Sequence, residues 1–111
     1  MSHKRAGFFR EVFGDESLPS LSEARQAEPQ DDETKIISYL ESGSLLVASP
    51  GPAFDPLSEP RQIAGAQHIM HDGIWSWPSS LPDFVMTYHC KLPSDFVDHM
   101  KANDWQAEPI E

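Results

Sequence analysis

The sequence predicts an α+β domain, in which a small antiparallel sheet of about three strands packs with helices behind a mobile N-terminal segment. Three observations carry that prediction. The pair Asp72-Gly73 separates two apolar-rich stretches, 66–71 and 74–77, and suits the positive φ values of a two-residue hairpin turn. Ser80-Leu81-Pro82-Asp83 and Leu92-Pro93-Ser94 each place helix-start residues ahead of apolar positions spaced three and four apart. Between 33 and 48 a helical apolar stripe runs directly into a short apolar stretch.

Taken in order, Phe8, Phe9, Val12 and Phe13 recur at helical spacing, so a short amphipathic helix is expected within 2–13. Alone it would be marginal, and it either docks on the core or frays. Residues 14–30 hold Pro19, Pro29 and several Ser and Glu, which reads as an acidic linker with one helical turn around 20–26. The division expected is therefore 1–30, helix and acidic linker, and 31–111, compact domain. Asp32 is placed to cap a helix over 33–42 whose inner stripe is Ile36, Ile37 and Leu40, with Gly43 as its stop. Residues 44–48 read as a strand, and 53–65, with Pro56 and Pro60, as an irregular connection. The helix after Ser80 turns Leu81, Phe84, Val85 and Tyr88 inward, and the one capped by Ser94 turns in Phe96, Val97 and Met100.

A two-residue turn at Asp72-Gly73 pairs His71 with Ile74, Met70 with Trp75, Ile69 with Ser76 and His68 with Trp77. Opposed residues share a face, so His68, Met70, Trp75 and Trp77 lie together, and Ile69, His71, Ile74 and Ser76 form the other side. The Trp-rich face is either the core beneath the helices or, at Trp75 beside the turn, a partly exposed binding anchor.

The 111 residues fit one domain and carry a net charge of −10. That charge is uneven: residues 1–10 sum to +3, 11–33 to −7 and the remainder to −6. Such an acidic chain argues against a general nucleic-acid binder, which needs clustered Lys and Arg. No long apolar run or signal-type start is present, so a cytoplasmic chain away from membranes is expected. The single cysteine, Cys90, excludes an internal disulfide and a multi-cysteine metal cage. On a strand His68 and His71 point to opposite faces, and His89 and His99 fall on different helices, so no metal site is expected. Cys90 and His89, adjacent on a helix, diverge by about 100° and do not form a nucleophile pair. Gly51 and Gly73 are turn glycines, no phosphate-cradling loop is present, and no cofactor is expected.

Several stretches together carry a resemblance: Tyr39-Leu40, Leu46-Val47-Ala48, Pro50-Gly51, Asp55-Pro56-Leu57, Tyr88-His89, Leu92-Pro93 and above all Asp72-Gly73-Ile74-Trp75-Ser76-Trp77-Pro78. With Phe13-Gly14 and Pro19-Ser20-Leu21 they cover most of the chain. It resembles a small uncharacterised bacterial protein family marked by this DG-x-W-x-WP motif, whose members look like immunity proteins of polymorphic toxin systems. His71 and Pro82-Asp83 depart from the family pattern. The resemblance implies an antitoxin that binds a cognate toxin domain one to one and covers its active site, with no catalytic residues of its own. An acidic surface suits a cationic toxin cleft through electrostatic steering. The expected contacts are Asp31, Asp32, Glu33, Asp72 at the hairpin tip and Trp75, with the 14–30 linker as an alternative binding arm. An adaptor for another partner, or a small enzyme with a polar pocket near His68 or His89, are the competing functions.

Overall fold

Trp77 sits at the centre of the molecule, with no exposed surface, and its ring lies 6.0 Å from that of Tyr39 and 5.5 Å from that of Phe96. Everything else is arranged around this indole. The computed structural model describes residues 3–49, 51–58, 60 and 62–107. Its elements run β1 (Lys4–Arg5), α1 (Arg10–Phe13), α2 (Leu21–Ala24), α3 (Glu33–Glu41), β2 (Ser44–Val47), β3 (Pro52–Asp55), β4 (Gln62–Ala66), β5 (Ile69–His71), β6 (Trp75–Pro78), α4 (Leu81–Tyr88) and α5 (Ser94–Ala102). The fold is α+β, with a four-stranded sheet in the order β1-β6-β5-β2 and a separate β3-β4 pair. No helix among the described residues is long and apolar enough to cross a membrane.

The fourth strand comes from the N-terminal segment. The Phe-rich spacing gives a helix only at Arg10–Phe13; Lys4 and Arg5 instead pair in parallel with Trp75 and Ser76. Gly7, at φ +76°, separates the two halves, and a Cβ there would strike the Leu81 side chain at 2.5 Å. Of docking and fraying, the described N-terminal residues take docking. Ala6, Phe9 and Leu21 belong to the same buried cluster as Trp77, so the core spans the boundary expected at residue 30. Glu11 fastens the following turn: its carboxylate accepts from the backbone N–H of Leu21 (2.8 Å) and Ser22 (2.9 Å), the free donors at the start of α2. Burial pushes that carboxyl upward, but these bonds and one from the Ser20 hydroxyl outweigh it and hold Glu11 below the usual glutamate range.

The central hairpin differs from the expected one by two residues. Met70 opposes Trp77 and His71 opposes Ser76, and Asp72 N–H donates to Trp75 O at 3.1 Å, so the two-residue tip is Gly73-Ile74 instead of Asp72-Gly73. The Asp72 side chain closes it further, its Oδ1 accepting from Ile74 N–H (2.9 Å) and Trp75 N–H (2.7 Å). A shift of two keeps strand parity, so Trp75 and Trp77 still share the core face. Residues 53–65 are not simply irregular either. Phe54 opposes Ile63 in the β3-β4 pair, and Pro56 and Pro60 fall in the loop between the strands, where a missing N–H costs little.

Helices α3, α4 and α5 begin within a residue or two of their expected starts, although their caps differ. Asp32 occupies the N-cap of α3 at φ +60° without capping through its side chain, Ser80 likewise makes no cap bond, and Pro93 rather than Ser94 is the N-cap of α5. Gly43 also has another reason to be glycine. A Cβ there would meet the Trp77 ring at 2.4 Å, so the chain leaving α3 must pass bare against the indole.

Candidate protein-binding surface

Strand β2 lies at an outer edge of the four-stranded sheet, paired only with β5 within it. Its residues Leu45, Leu46 and Val47 are 55%, 42% and 48% exposed. The ladder is irregular between Leu45 and Val47, which turns Leu46 out of register. Edge strands are ordinarily blunted by Lys, Pro or inward charges. This one carries none, and three consecutive exposed aliphatic residues mark a surface suited to another chain. The exposed Glu41, at the end of α3, precedes it by three residues.

At the opposite end of α3 stand the acids expected to make contact. Asp31 and Asp32 are exposed, with Asp32 4.0 Å from the still more exposed Lys35, a pair of little energetic weight. The left-handed backbone at Asp32, which Asp tolerates, leaves its carboxylate free of the helix cap. Glu33 is different. Its Oε2 lies 2.8 Å from His89 Nδ1, and its Oε1 is buried with no hydrogen-bond partner. Glu33 therefore ties the start of α3 to the end of α4 and is not part of an open acidic patch.

Asp72 and Trp75 are likewise turned inward, which corrects their assignment as surface contacts. The Asp72 side chain is 2% exposed and its Oδ2 accepts from the Tyr39 hydroxyl and lies 2.9 Å from His99 Nε2. With its two backbone donors, this carboxylate joins α3, α5 and the hairpin tip. Burial raises its pKa, but the Tyr39, Trp75 and Ile74 hydrogen bonds and the nearby His99 outweigh that and hold it below the usual Asp range. Burial, with Asp72 alongside, drives the Tyr39 hydroxyl far up, so it remains a donor. Trp75 is 5% exposed and stacks on Phe96 at 4.5 Å and 19°. Of its two readings, the core one describes its position.

The remaining candidates form a second set of clasps. Tyr88 donates to Asp55 Oδ2 at 2.6 Å, fixing the β3-β4 pair to α4, and burial followed by Asp55 pushes its hydroxyl up to about 12. Cys90 is fully buried, and burial lifts its thiol to about 12, the reverse of what a nucleophile requires. His68 accepts from Ser49 N–H at 3.1 Å. The 14–30 segment is tied down through Glu11 and through Gln26 and Gln30, whose amides donate to the carbonyls of His89 and Cys90. Among the described residues no group of three His, Cys, Asp or Glu side chains converges as a metal site would require.

Sequence reasoning placed β2 as a strand but missed that it is an edge. It also missed Tyr39 and His99 as partners of Asp72, and His89 as partner of Glu33. These pairs lie 27 to 56 residues apart, and no local spacing announces them. No protein-family model, curated protein or solved structure shows significant similarity to the chain, so the family resemblance rests on its own residues alone.

Proposed function

We propose that this protein is an immunity protein: a cytoplasmic antitoxin that binds a cognate toxin domain one to one and covers its active site. The observation that carries the reading is β2, an uncharged aliphatic edge strand exposed on a chain of net charge −10. A cationic toxin cleft would be steered by the overall negative field and held by apolar contact and strand pairing along Leu45, Leu46 and Val47. Asp31 and Asp32 remain in the proposed contact set because they are exposed and free to meet a basic partner. Glu33, Asp72 and Trp75 leave it, since each is engaged inside the fold.

Catalysis is the weaker reading. The Tyr39–Asp72–His99 group has the composition of an acid-base site, but both side chains converge on one buried carboxylate that also closes a turn. That geometry spends the group on holding the hairpin.

The test is co-expression with the product of the adjacent gene, scoring survival and one-step co-purification. Wild type should rescue growth and co-purify at one to one. Leu45→Ser/Leu46→Ser should fold normally yet lose rescue, and Asp31→Lys/Asp32→Lys should slow association several-fold at low salt. A toxic neighbour that both variants still neutralise fully, or a neighbour that neither harms the cell nor binds, would refute the proposal.

A further inference from the structure

Three stretches of chain enclose a groove of about 570 Å3: the segment after β1, the turn leading into α2 with α2 itself, and the connection between α4 and α5. Neither β2 nor Asp31 and Asp32 contribute to it, so it is independent of the surface proposed for the partner. Its floor is apolar and recessed. Ala6, Phe8, Phe9 and Leu92 line it while each is only 4 to 7% exposed, so a flat protein surface could not reach them but a slender chain could. The volume lies within the range of small-molecule sites.

Each wall is fixed before any ligand arrives. Ala6 N–H donates to Ser76 O at 3.1 Å, Arg10 N–H to Pro19 O at 2.9 Å, and Lys91 N–H to Ala24 O at 2.8 Å. The charge around the groove runs against that of the whole chain. Arg5 and Lys91, two of only eight basic residues, line it, and the one lining acid, Glu23, lies 3.7 Å from Arg10. The Arg5 guanidinium rests 4.4 Å over the Phe8 ring. A guanidinium held over a ring can still donate its N–H groups to an acceptor, and the acid within Coulombic reach of Arg5 is Asp15, which does not line the groove.

We propose that this groove binds a small monocarboxylate with an apolar body, such as a free medium-chain fatty acid. Its chain would lie along Ala6, Phe9 and Leu92, and its carboxylate would meet Arg5 and Lys91. Two cations on a mainly apolar lining, whose other polar side chains are Ser20, Glu23 and Ser94, match one carboxylate. A nucleotide would need more polar partners than the lining offers.

The experiment is an NMR titration of the full chain with decanoate below its micelle concentration, beside 1-decanol, decyltrimethylammonium and phosphatidylglycerol vesicles. Decanoate should bind about tenfold tighter than 1-decanol, with the largest amide shifts at 5–9 and 91–94. Arg5→Gln/Lys91→Gln should erase that preference while leaving 1-decanol binding and Tm unchanged, and Arg5→Lys/Lys91→Arg should restore most of it. Should the double variant unfold, Lys91→Gln alone, at an exposed position, should lose about threefold in decanoate affinity. Equal binding of the three amphiphiles, shifts centred on 45–47, binding to vesicles alone, or no binding would each overturn the proposal.

Discussion

Strands β2 and β6 are each four residues long and belong to one sheet, yet their apolar side chains have opposite fates. β6 has β1 on one side and β5 on the other, and all four of its residues are buried. β2 has only β5 beside it in the sheet, and its three aliphatic residues stand in solvent. Each has three apolar residues in four; position in the sheet separates their fates. Apolar surface on β6 supports folding, whereas apolar surface on β2 contributes little to folding and remains available for association.

The sharpest way to break that comparison is to truncate both strands. Trp77→Ala removes the central indole together with its Nε1–H bond to Leu40 O (3.0 Å) and should cost about 4 kcal/mol, read by chemical denaturation. Next, Asp72→Ala strands the Tyr39 hydroxyl and two backbone donors at the tip of the β5-β6 hairpin and should cost about 3 kcal/mol. Asp72→Asn exposes the charge dependence. Because the folded carboxyl titrates below its unfolded value, its contribution is fully present above the ordinary Asp range and is lost as pH falls through the folded value. The stability gap between wild type and Asp72→Asn should therefore close in strong acid. A gap that persists undiminished there would contradict the hydrogen-bond account.

Gly43→Ala tests the junction between the two strands' environments, since Gly43 immediately precedes β2 but faces the indole of β6. It should cost about 2 kcal/mol through overpacking, measured by the shift in denaturation midpoint at unchanged slope. Smallest of all should be Leu46→Ser on β2, within about 0.5 kcal/mol of wild type. A loss as large as that at Trp77 would place β2 in the core's energetics and remove the contrast.

The same contrast marks what the sequence could and could not disclose. Helices α3, α4 and α5 were legible because periodic apolar stripes and start signals act locally. The α+β class was legible because the Asp72-Gly73 tip sits between apolar segments. The parallel strand at Lys4 and Arg5 was not, because its partners lie some seventy residues onward and two residues hold no periodicity. The inward turn of Glu33 and Asp72 escaped for a similar reason: a carboxylate's partner in space, here His89 or His99, is set by tertiary packing. Trp75 obeyed the ordinary burial of a large aromatic. Of the candidate contacts, Asp31 and Asp32 are exposed, as a charged segment read from local sequence is expected to be.

The central claim is that β2 is where a partner is gripped. Amide hydrogen exchange of the chain, free and in complex with the product of the adjacent gene, tests it most directly. Strong new protection at 45–47, with weaker protection near Asp31 and Asp32, is the result predicted. A complex that leaves 45–47 exchanging as in the free chain, with protection gathered elsewhere, would contradict it.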